Sequence, residues 1–281
     1  MNFFNRISGF IKISRPLNCL ITFISIIIAA LVCSSGNLIF FKIISAAFAG
    51  ALTAAGGNAI NDIFDLEIDK INSSKRPLPA KIITVNEAII YYIIINIGAI
   101  VFSYFAGFAS VLIVLSTQII LFLYSFKLKN IILLGNFTVA FLTGMTFFYG
   151  GIIVSNWQFS LIPAGFALLM NLIREIIKDM EDIKGDSKLG VITFPQKFGF
   201  RAAKRTIIIL ILVFFAAFFS LYLIRIYKIE FFIIVLITVI PFLLYIIKSL
   251  LKDDSIDNLK KMSLILKINM IFGLAAIYFA R

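Results

Sequence analysis

Hydrophobic and polar positions alternate along this chain in long blocks, with apolar runs of about 20 residues separated by short charged segments. Nine such runs stand out, at roughly 17–35, 40–60, 88–106, 108–126, 131–153, 159–178, 206–224, 230–251 and 262–280. Each approaches the ~20 residues an α-helix needs to cross a hydrocarbon core. Lipid offers the backbone no hydrogen-bonding partner, so uninterrupted runs of this length are predicted to be helical. The pattern therefore predicts an all-α, multi-pass membrane bundle of nine transmembrane helices. Thr84 with Glu87 three residues on forms a capping-box signal where the third helix should begin. The second run is lined with small residues, Ala46, Ala47, Ala49, Gly50, Ala51, Ala54, Ala55, Gly56 and Gly57. Small side chains let neighbouring helices approach closely, which predicts a central place for this helix. The first run exceeds the apolar core of a signal peptide and is expected to remain as a span.

Composition supports this reading. Of 281 residues, 61% are hydrophobic and 14% charged, with a mean hydropathy of +1.06. Ordinary globular chains carry roughly 45–50% and 25%. A soluble fold cannot cover that much apolar surface, so the expected partner is the lipid bilayer of a cell membrane. The net charge is +12, yet the bases form no continuous stripe, so neither a nucleic acid nor a protein partner is predicted. Of the 26 basic residues, all but Lys42, Arg225, Lys228 and Arg281 fall in loops or helix ends on one side of the predicted topology. Retention of basic segments on the cytoplasmic side then places the N-terminus in the cytoplasm. The chain reads as a single intramembrane domain, 1–281.

The chain contains no histidine, which excludes histidine metal ligands, histidine general bases and Ser/His or Cys/His nucleophile schemes. Its two cysteines, Cys19 and Cys33, read as small core residues. Chemistry must then rest on carboxylates, amides, hydroxyls and bases.

Nine of the fourteen acids lie in two windows. The first is N58-A-I-N61-D62-I-F-D65-L-E-I-D69 and the second is E175-I-I-K178-D179-M-E-D182-I-K-G-D186. In each, three aspartates follow the spacing three then four, and the windows are offset by 117 residues, the mark of a possible internal repeat. At 100° per residue, Asn58, Asp62, Asp65 and Asp69 would share one helical face, as would Glu175, Asp179, Asp182 and Asp186. Like charges so spaced are unfavourable on a helix, so another interaction must favour them. A divalent cation does so, and Mg²⁺ suits a set of carboxylate and amide oxygens with no cysteine or histidine cluster. Mg²⁺ commonly binds through few carboxylates together with substrate phosphates. Lys75, Arg76, Lys127 or Lys129, Lys184 and Lys188 would complement those phosphates. Without metal, each carboxylate–phosphate charge pair would cost roughly 3 kcal/mol at about 5 Å and an effective dielectric near 20. Acids, metal, bases and apolar spans together point to a lipid diphosphate.

These residues resemble a known family. N61-D62-x-x-D65-x-x-x-D69 followed by R76-P77-L78-P79 is similar to the first signature of the UbiA-type intramembrane prenyltransferases, and D182-x-x-G185-D186-x-K188 to their second. Y124-S125-x-x-L128-K129 with G135-N136, and R15-P16-x-N18, resemble two further family elements. The resemblance implies transfer of a polyprenyl group from its diphosphate to an acceptor, with Mg²⁺ held between two aspartate motifs. By position, Asn61, Asp65 and Asp69, with Asp62 beside them, would hold one ion. Asp182 and Asp186, with Asp179, would hold the other. The catalytic set would be Asp65, Asp69, Asp182, Asp186 and Glu175, with Glu175 orienting or deprotonating the acceptor hydroxyl. Arg76, Tyr124, Lys129 and Lys188 would contact the diphosphate, and Arg15, Asn18 and Arg174 the acceptor. The stretch from Arg174 to Asp186 most resembles members that transfer a geranylgeranyl group to geranylgeranylglyceryl phosphate, making a membrane ether lipid precursor. An aromatic acceptor such as 4-hydroxybenzoate is the alternative within the family. An ion-coupled transporter is the rival outside it, disfavoured because the acids lie at helix ends and span two carries no internal proline.

Overall fold

The structure, a computed structural model, describes residues 3–36, 38–183, 187 and 192–280. Its helices are α1 (Phe3–Ser14), α2 (Pro16–Cys33), α3 (Phe40–Phe64), α4 (Leu66–Asn72), α5 (Val85–Ala106), α6 (Phe108–Phe126), α7 (Leu134–Ile153), α8 (Leu161–Glu181), α9 (Phe194–Ile224), α10 (Ile229–Ile234), α11 (Ile240–Lys252) and α12 (Ile256–Tyr278). Among the described residues nine helical stretches are long and apolar enough to cross a membrane: α2, α3, α5, α6, α7, Trp157–Glu181, α9, Ile229–Lys252 and α12. No strand occurs among them. The all-α, nine-span expectation is met.

The chain divides into two compact units, residues 1–129 with 146–158, and residues 130–145 with 159–281. The first aspartate window lies in the first unit and the second window in the second.

In the first unit α3 is the hub, packing against α1, α2, α5 and α6. Its small residues make this possible: Ala46, Ala47, Ala49, Ala55, Gly56, Gly57 and Ala59 are all buried. An added Cβ at Gly50, Gly56 or Gly57 would stand 2.2, 2.7 or 2.8 Å from a side chain of a neighbouring helix, so larger residues would not fit. Backbone comes as close at Gly150 of α7, where an added Cβ would stand 2.5 Å from the Ile26 carbonyl oxygen and 2.7 Å from Ala29 Cβ. The capping box at the start of α5 forms as the sequence predicts: Glu87 N–H donates to Thr84 Oγ1 at 3.2 Å and Thr84 N–H to Glu87 Oε2 at 2.8 Å. One residue, Gly107, joins α5 to α6 with φ 118°, a conformation that favours glycine.

The sequence reading did not anticipate α1. It is amphipathic and too short to span, with Ile13 buried and Phe4, Ile7 and Ile11 exposed. It ends at Arg15, whose φ and ψ of 52° and 72° are left-handed, and Pro16 opens α2. This break brings Arg15 over α3.

In the second unit α8 packs on α9 and α12 through one apolar face, with Met170, Ile173, Ile177 and Met180 buried. Phe166 of α8 meets Phe214 of α9 edge-on at 4.8 Å. A π-helical turn, Val235–Val239, separates α10 from α11, and the buried Asn269 of α12 donates to the Val239 carbonyl at 3.3 Å. The opposite face of α8 is polar and carries the second window.

Gly150→Ala should lower stability by about 1–3 kcal/mol, because the helices must part to admit a methyl group. Gly165→Ala, with no atom within 4 Å of the new Cβ, should be neutral or gain up to about 1 kcal/mol in helix propensity. Thermal unfolding of the detergent-solubilised variants checks this, and equal midpoints would contradict the close approach at Gly150.

Candidate functional site

The first window does not continue as one helix. At Asp65 φ and ψ are −91° and 8°, α3 ends, and α4 begins. Asp65 N–H still donates to the Asn61 carbonyl at 2.9 Å and Asp69 N–H to the Asp65 carbonyl at 2.8 Å, so the chain bends without losing these bonds. Arg76 reaches both Asp62 and Asp69 across the bend, so these two carboxylates stay on one side of the chain.

The window's polar side chains form two networks. In one, Asn61 Nδ2 donates to Asp65 Oδ2 at 2.7 Å, and Lys129 Nζ lies 2.5 Å from Asp65 Oδ1. The Lys129 ammonium also stands 5.9 Å from the centre of the Phe64 ring. In the other, Arg76 Nη1 donates to Asp69 Oδ2 at 2.5 Å and to Asp62 Oδ1 at 3.3 Å, and Arg15 Nη2 donates to the same Asp62 oxygen at 2.5 Å. Asp62 and Asp69 are buried, with 3% and 4% of their surface exposed. Burial raises the Asp69 carboxyl above its ordinary pKa, with Arg76 pulling the other way. Burial works against the Arg76 charge, but Asp62 and Asp69 outweigh it and raise its already high pKa.

Local folding delivers each base. The turn carrying Arg76 is pinned by Leu78 and Ile83, buried in a cluster with Ile13, Ala59 and Ala88. Arg76 N–H bonds the Ser73 carbonyl, and Ala80 N–H bonds the Arg76 carbonyl, both at 2.9 Å. Lys129 sits in a short 3₁₀ turn, Leu128–Asn130, just beyond α6, while Lys127 is exposed. Of the two lysines the sequence left open, Lys129 is the one that joins the cluster. The Arg15 bend is fixed by Asn58 Nδ2, which donates to the Ser14 carbonyl at 2.9 Å. Asn18 lies in the first turn of α2 with its N–H on the Arg15 carbonyl, and Tyr124 is half-buried near the end of α6.

In the second window Asp182 caps the C-terminus of α8. Lys178 Nζ donates to Asp182 Oδ2 at 2.9 Å, and Asn136 Nδ2 of α7 donates to Asp179 Oδ2, also at 2.9 Å. Arg174 Nη1 pairs with Glu175 Oε1 at 2.6 Å. Asp186 and Lys188 lie outside the described residues. Asn136 stood in the sequence reading only as part of the G135-N136 element, and Asn171 carried no role there. The signal that could have found Asn171 is an amide inside an otherwise apolar run.

The buried polar atoms without a hydrogen-bond partner include Asn61 Oδ1 in the first unit, and Asn171 Nδ2 and Arg174 Nε in the second. An unpaired buried polar atom costs about 1–3 kcal/mol and calls for an explanation. Among the described residues no three Asp, Glu, Cys or His side chains converge as a preformed metal set. The Asn61 amide oxygen beside the Asp65 carboxylate is nevertheless the kind of hard-oxygen pair that Mg²⁺ accepts.

The first-unit cluster lies at the ends of lipid-spanning helices and combines carboxylates, an unpaired amide oxygen and three basic side chains, the make-up of an intramembrane enzyme that handles a charged phosphate group. Residues 22–271 match the UbiA prenyltransferase family, and the chain belongs to it. It is 34% identical over 264 residues to the digeranylgeranylglyceryl phosphate synthase of Methanosphaera stadtmanae, covering 94% of this chain and 96% of the relative. A solved structure concerned with digeranylgeranylglyceryl phosphate synthase in membranes superposes with a TM-score of 0.75 at 32% identity, over 98% of each chain. A UbiA homologue from Archaeoglobus fulgidus, solved with DMAPP and Mg²⁺, shares the fold at 18% identity and a TM-score of 0.64, covering 96% of this chain and 99% of that one.

Lys129→Met should destabilise the protein by about 1–3 kcal/mol, since it strands the Asp65 carboxylate in a largely dehydrated place. Adding Asp65→Asn should recover most of the loss. A coupling above about 1 kcal/mol in the double-mutant cycle, read from unfolding midpoints, would support the pair, and additive losses would contradict it.

Proposed function

We propose that the protein transfers a geranylgeranyl group from geranylgeranyl diphosphate to geranylgeranylglyceryl phosphate, in a Mg²⁺-dependent reaction within the membrane. The observation that carries this reading is the cluster at the end of α3. There a buried, unpartnered Asn61 oxygen sits beside Asp65, ringed by Lys129, Arg76 and Arg15. Relatives that match nearly the whole chain bear the name of this activity, and a homologue of the same fold was solved with a prenyl diphosphate and Mg²⁺. The excess of basic residues in one set of loops supports a cytoplasmic N-terminus.

The residues divide the work by charge. Asn61, Asp65 and Asp69 are assigned to one metal ion, and Asp182 and Asp186, with Asp179, to the other. When bound, Mg²⁺ neutralises the diphosphate and stabilises the charge that develops as it leaves. Arg76, Tyr124, Lys129 and Lys188 hold the diphosphate oxygens, and guanidinium and ammonium donors strengthen their hold as negative charge accumulates. The allylic C–O bond breaks, the electron pair departs with diphosphate, and the acceptor hydroxyl oxygen closes the new ether bond while losing its proton. Glu175 is positioned by its Arg174 partner to orient that hydroxyl. Arg174 Nε and Asn171 Nδ2, both donors without a protein partner, suit the acceptor's phosphate, with Asn18 as a further acceptor contact. The surrounding spans exclude water, which would otherwise capture the allylic cation.

The purified protein, given Mg²⁺, geranylgeranyl diphosphate and either geranylgeranylglyceryl phosphate or 4-hydroxybenzoate, should form product with the first acceptor alone. Product from the second alone would transfer the reading to an aromatic acceptor, and product from neither would defeat it. Asp65→Ala and Asp182→Ala should each lower kcat/KM on the order of 10³-fold with unchanged circular dichroism. Full activity in both would remove the metal assignment.

A further inference from the structure

We propose that Asp62 is a positioning residue that ligates no metal, its carboxylate joining Arg15 and Arg76 into a single phosphate-binding pair. This rests on the diphosphate reading above and changes the expected roles of two residues: Asp62 leaves the metal set, and Arg15 moves from the acceptor to the donor.

Three separate segments meet at one oxygen. Arg15 comes from the break between α1 and α2, Asp62 from the last turns of α3, and Arg76 from the turn after α4. Both guanidinium groups donate to Asp62 Oδ1, at 2.5 Å and 3.3 Å, so their two nitrogens are at most about 6 Å apart. Side-chain exposure is 4% for Asp62, against 30% for Arg15 and 26% for Arg76. Asp69 is about as deeply buried but meets Arg76 alone, whereas Asp62 holds two guanidinium groups. Asn61, on the same turn, has its side-chain amide oxygen unpartnered, whereas Asp62 Oδ1 already accepts twice.

The backbone also serves the pairing. A left-handed residue with a long side chain is unfavourable and persists only where its surroundings fix it. Here the Arg15 carbonyl accepts from the N–H groups of Asn18 and Cys19, while Asn58 Nδ2 and Cys19 Sγ donate to the Ser14 carbonyl. Two guanidinium groups this close repel each other unless a negative charge lies between them, and Asp62 supplies it. Arginine's planar fork matches phosphate oxygens, and a spacing within about 6 Å lets both forks serve one diphosphate. Removing the Asp62 charge should loosen the pair and weaken the hold on phosphate, leaving the metal-binding oxygens of Asn61 and Asp65 in place.

The test uses the full-length protein in detergent, with inorganic pyrophosphate and Mn²⁺ as probes. For Asp62→Asn, calorimetry at saturating Mg²⁺ should show pyrophosphate binding weakened about tenfold or more. Electron paramagnetic resonance at saturating pyrophosphate should show Mn²⁺ affinity changed less than about twofold. Asp65→Asn should show the reverse, a loss of Mn²⁺ affinity of about tenfold or more. Asp62→Glu, which keeps the charge, should restore much of the pyrophosphate affinity. If Asp62→Asn does not fold, Arg15→Gln decides: weakened pyrophosphate binding with unchanged Mn²⁺ affinity is the expected result. The proposal is overturned if Asp62→Asn loses Mn²⁺ as Asp65→Asn does, or if Asp62→Asn or Arg15→Gln leaves pyrophosphate binding intact. Neither readout needs an acceptor or turnover, so a wild-type protein that makes no ether product would sink the function proposed above and leave this result to stand separately.

Discussion

A carboxylate placed at the end of a lipid-solvated helix must be neutralised locally, because little water is at hand to screen it. In the first unit Asp62, Asp65 and Asp69 all satisfy this condition by direct contact with a base. None of those bases belongs to α3. Arg15 precedes α2, Arg76 follows α4 and Lys129 follows α6, so neutralising one helix end requires three other segments to converge on it. The small residues of α3 let α2, α5 and α6 close around it. Packing and charge balance are thus one requirement, since side chains that held the helices further apart would also withdraw the bases.

The spans supply the frame, and the breaks between them aim the chemistry. Arg15 stands at a left-handed residue, Asp65 at the bend between two helices, Lys129 in a 3₁₀ turn and Asp182 at a helix cap. A regular helix fixes the direction of each side chain by its 100° step. Where a side chain must reach outside that step, the helix has to end. That is tolerable at helix ends, where backbone groups freed by a bend find turn partners, and costly in mid-span, where lipid offers none.

The spans could be read from the sequence because length and apolarity decide them. The capping box at Thr84 could be read because both of its halves lie within four residues. α1 escaped because its twelve residues mix polar and apolar positions and fall short of a span. A short helical segment that starts at Phe194 precedes the seventh span and breaks at Gly199, where φ and ψ of 80° and 161° are not helical, and its polar residues lie outside the apolar pattern. The bend at Asp65 was illegible for another reason. Spacing gathers the aspartates, and only partners that are remote in sequence decide which base each meets: Lys129 for Asp65, Arg76 for Asp62 and Asp69. Arg15 shows the same limit: its motif marked it as a site residue, but nothing local says that its partner is Asp62.

The two windows share one spacing of acids and differ in how those acids are answered. In the first, bases arrive from three distant segments, and an amide oxygen beside them stays unpaired. In the second, among the described residues, Lys178 answers Asp182 from one turn back on the same helix, Asn136 answers Asp179, and Arg174 is engaged by its own neighbour, Glu175. A local lysine on a helix surface contributes little and moves easily, whereas a half-buried guanidinium shared by two buried carboxylates is held firmly. Equal spacing in the sequence therefore does not imply equal roles. In the first window fixed positive charge stands beside an unpaired amide oxygen, and in the second Arg174 Nε and Asn171 Nδ2 remain as buried donors without a partner.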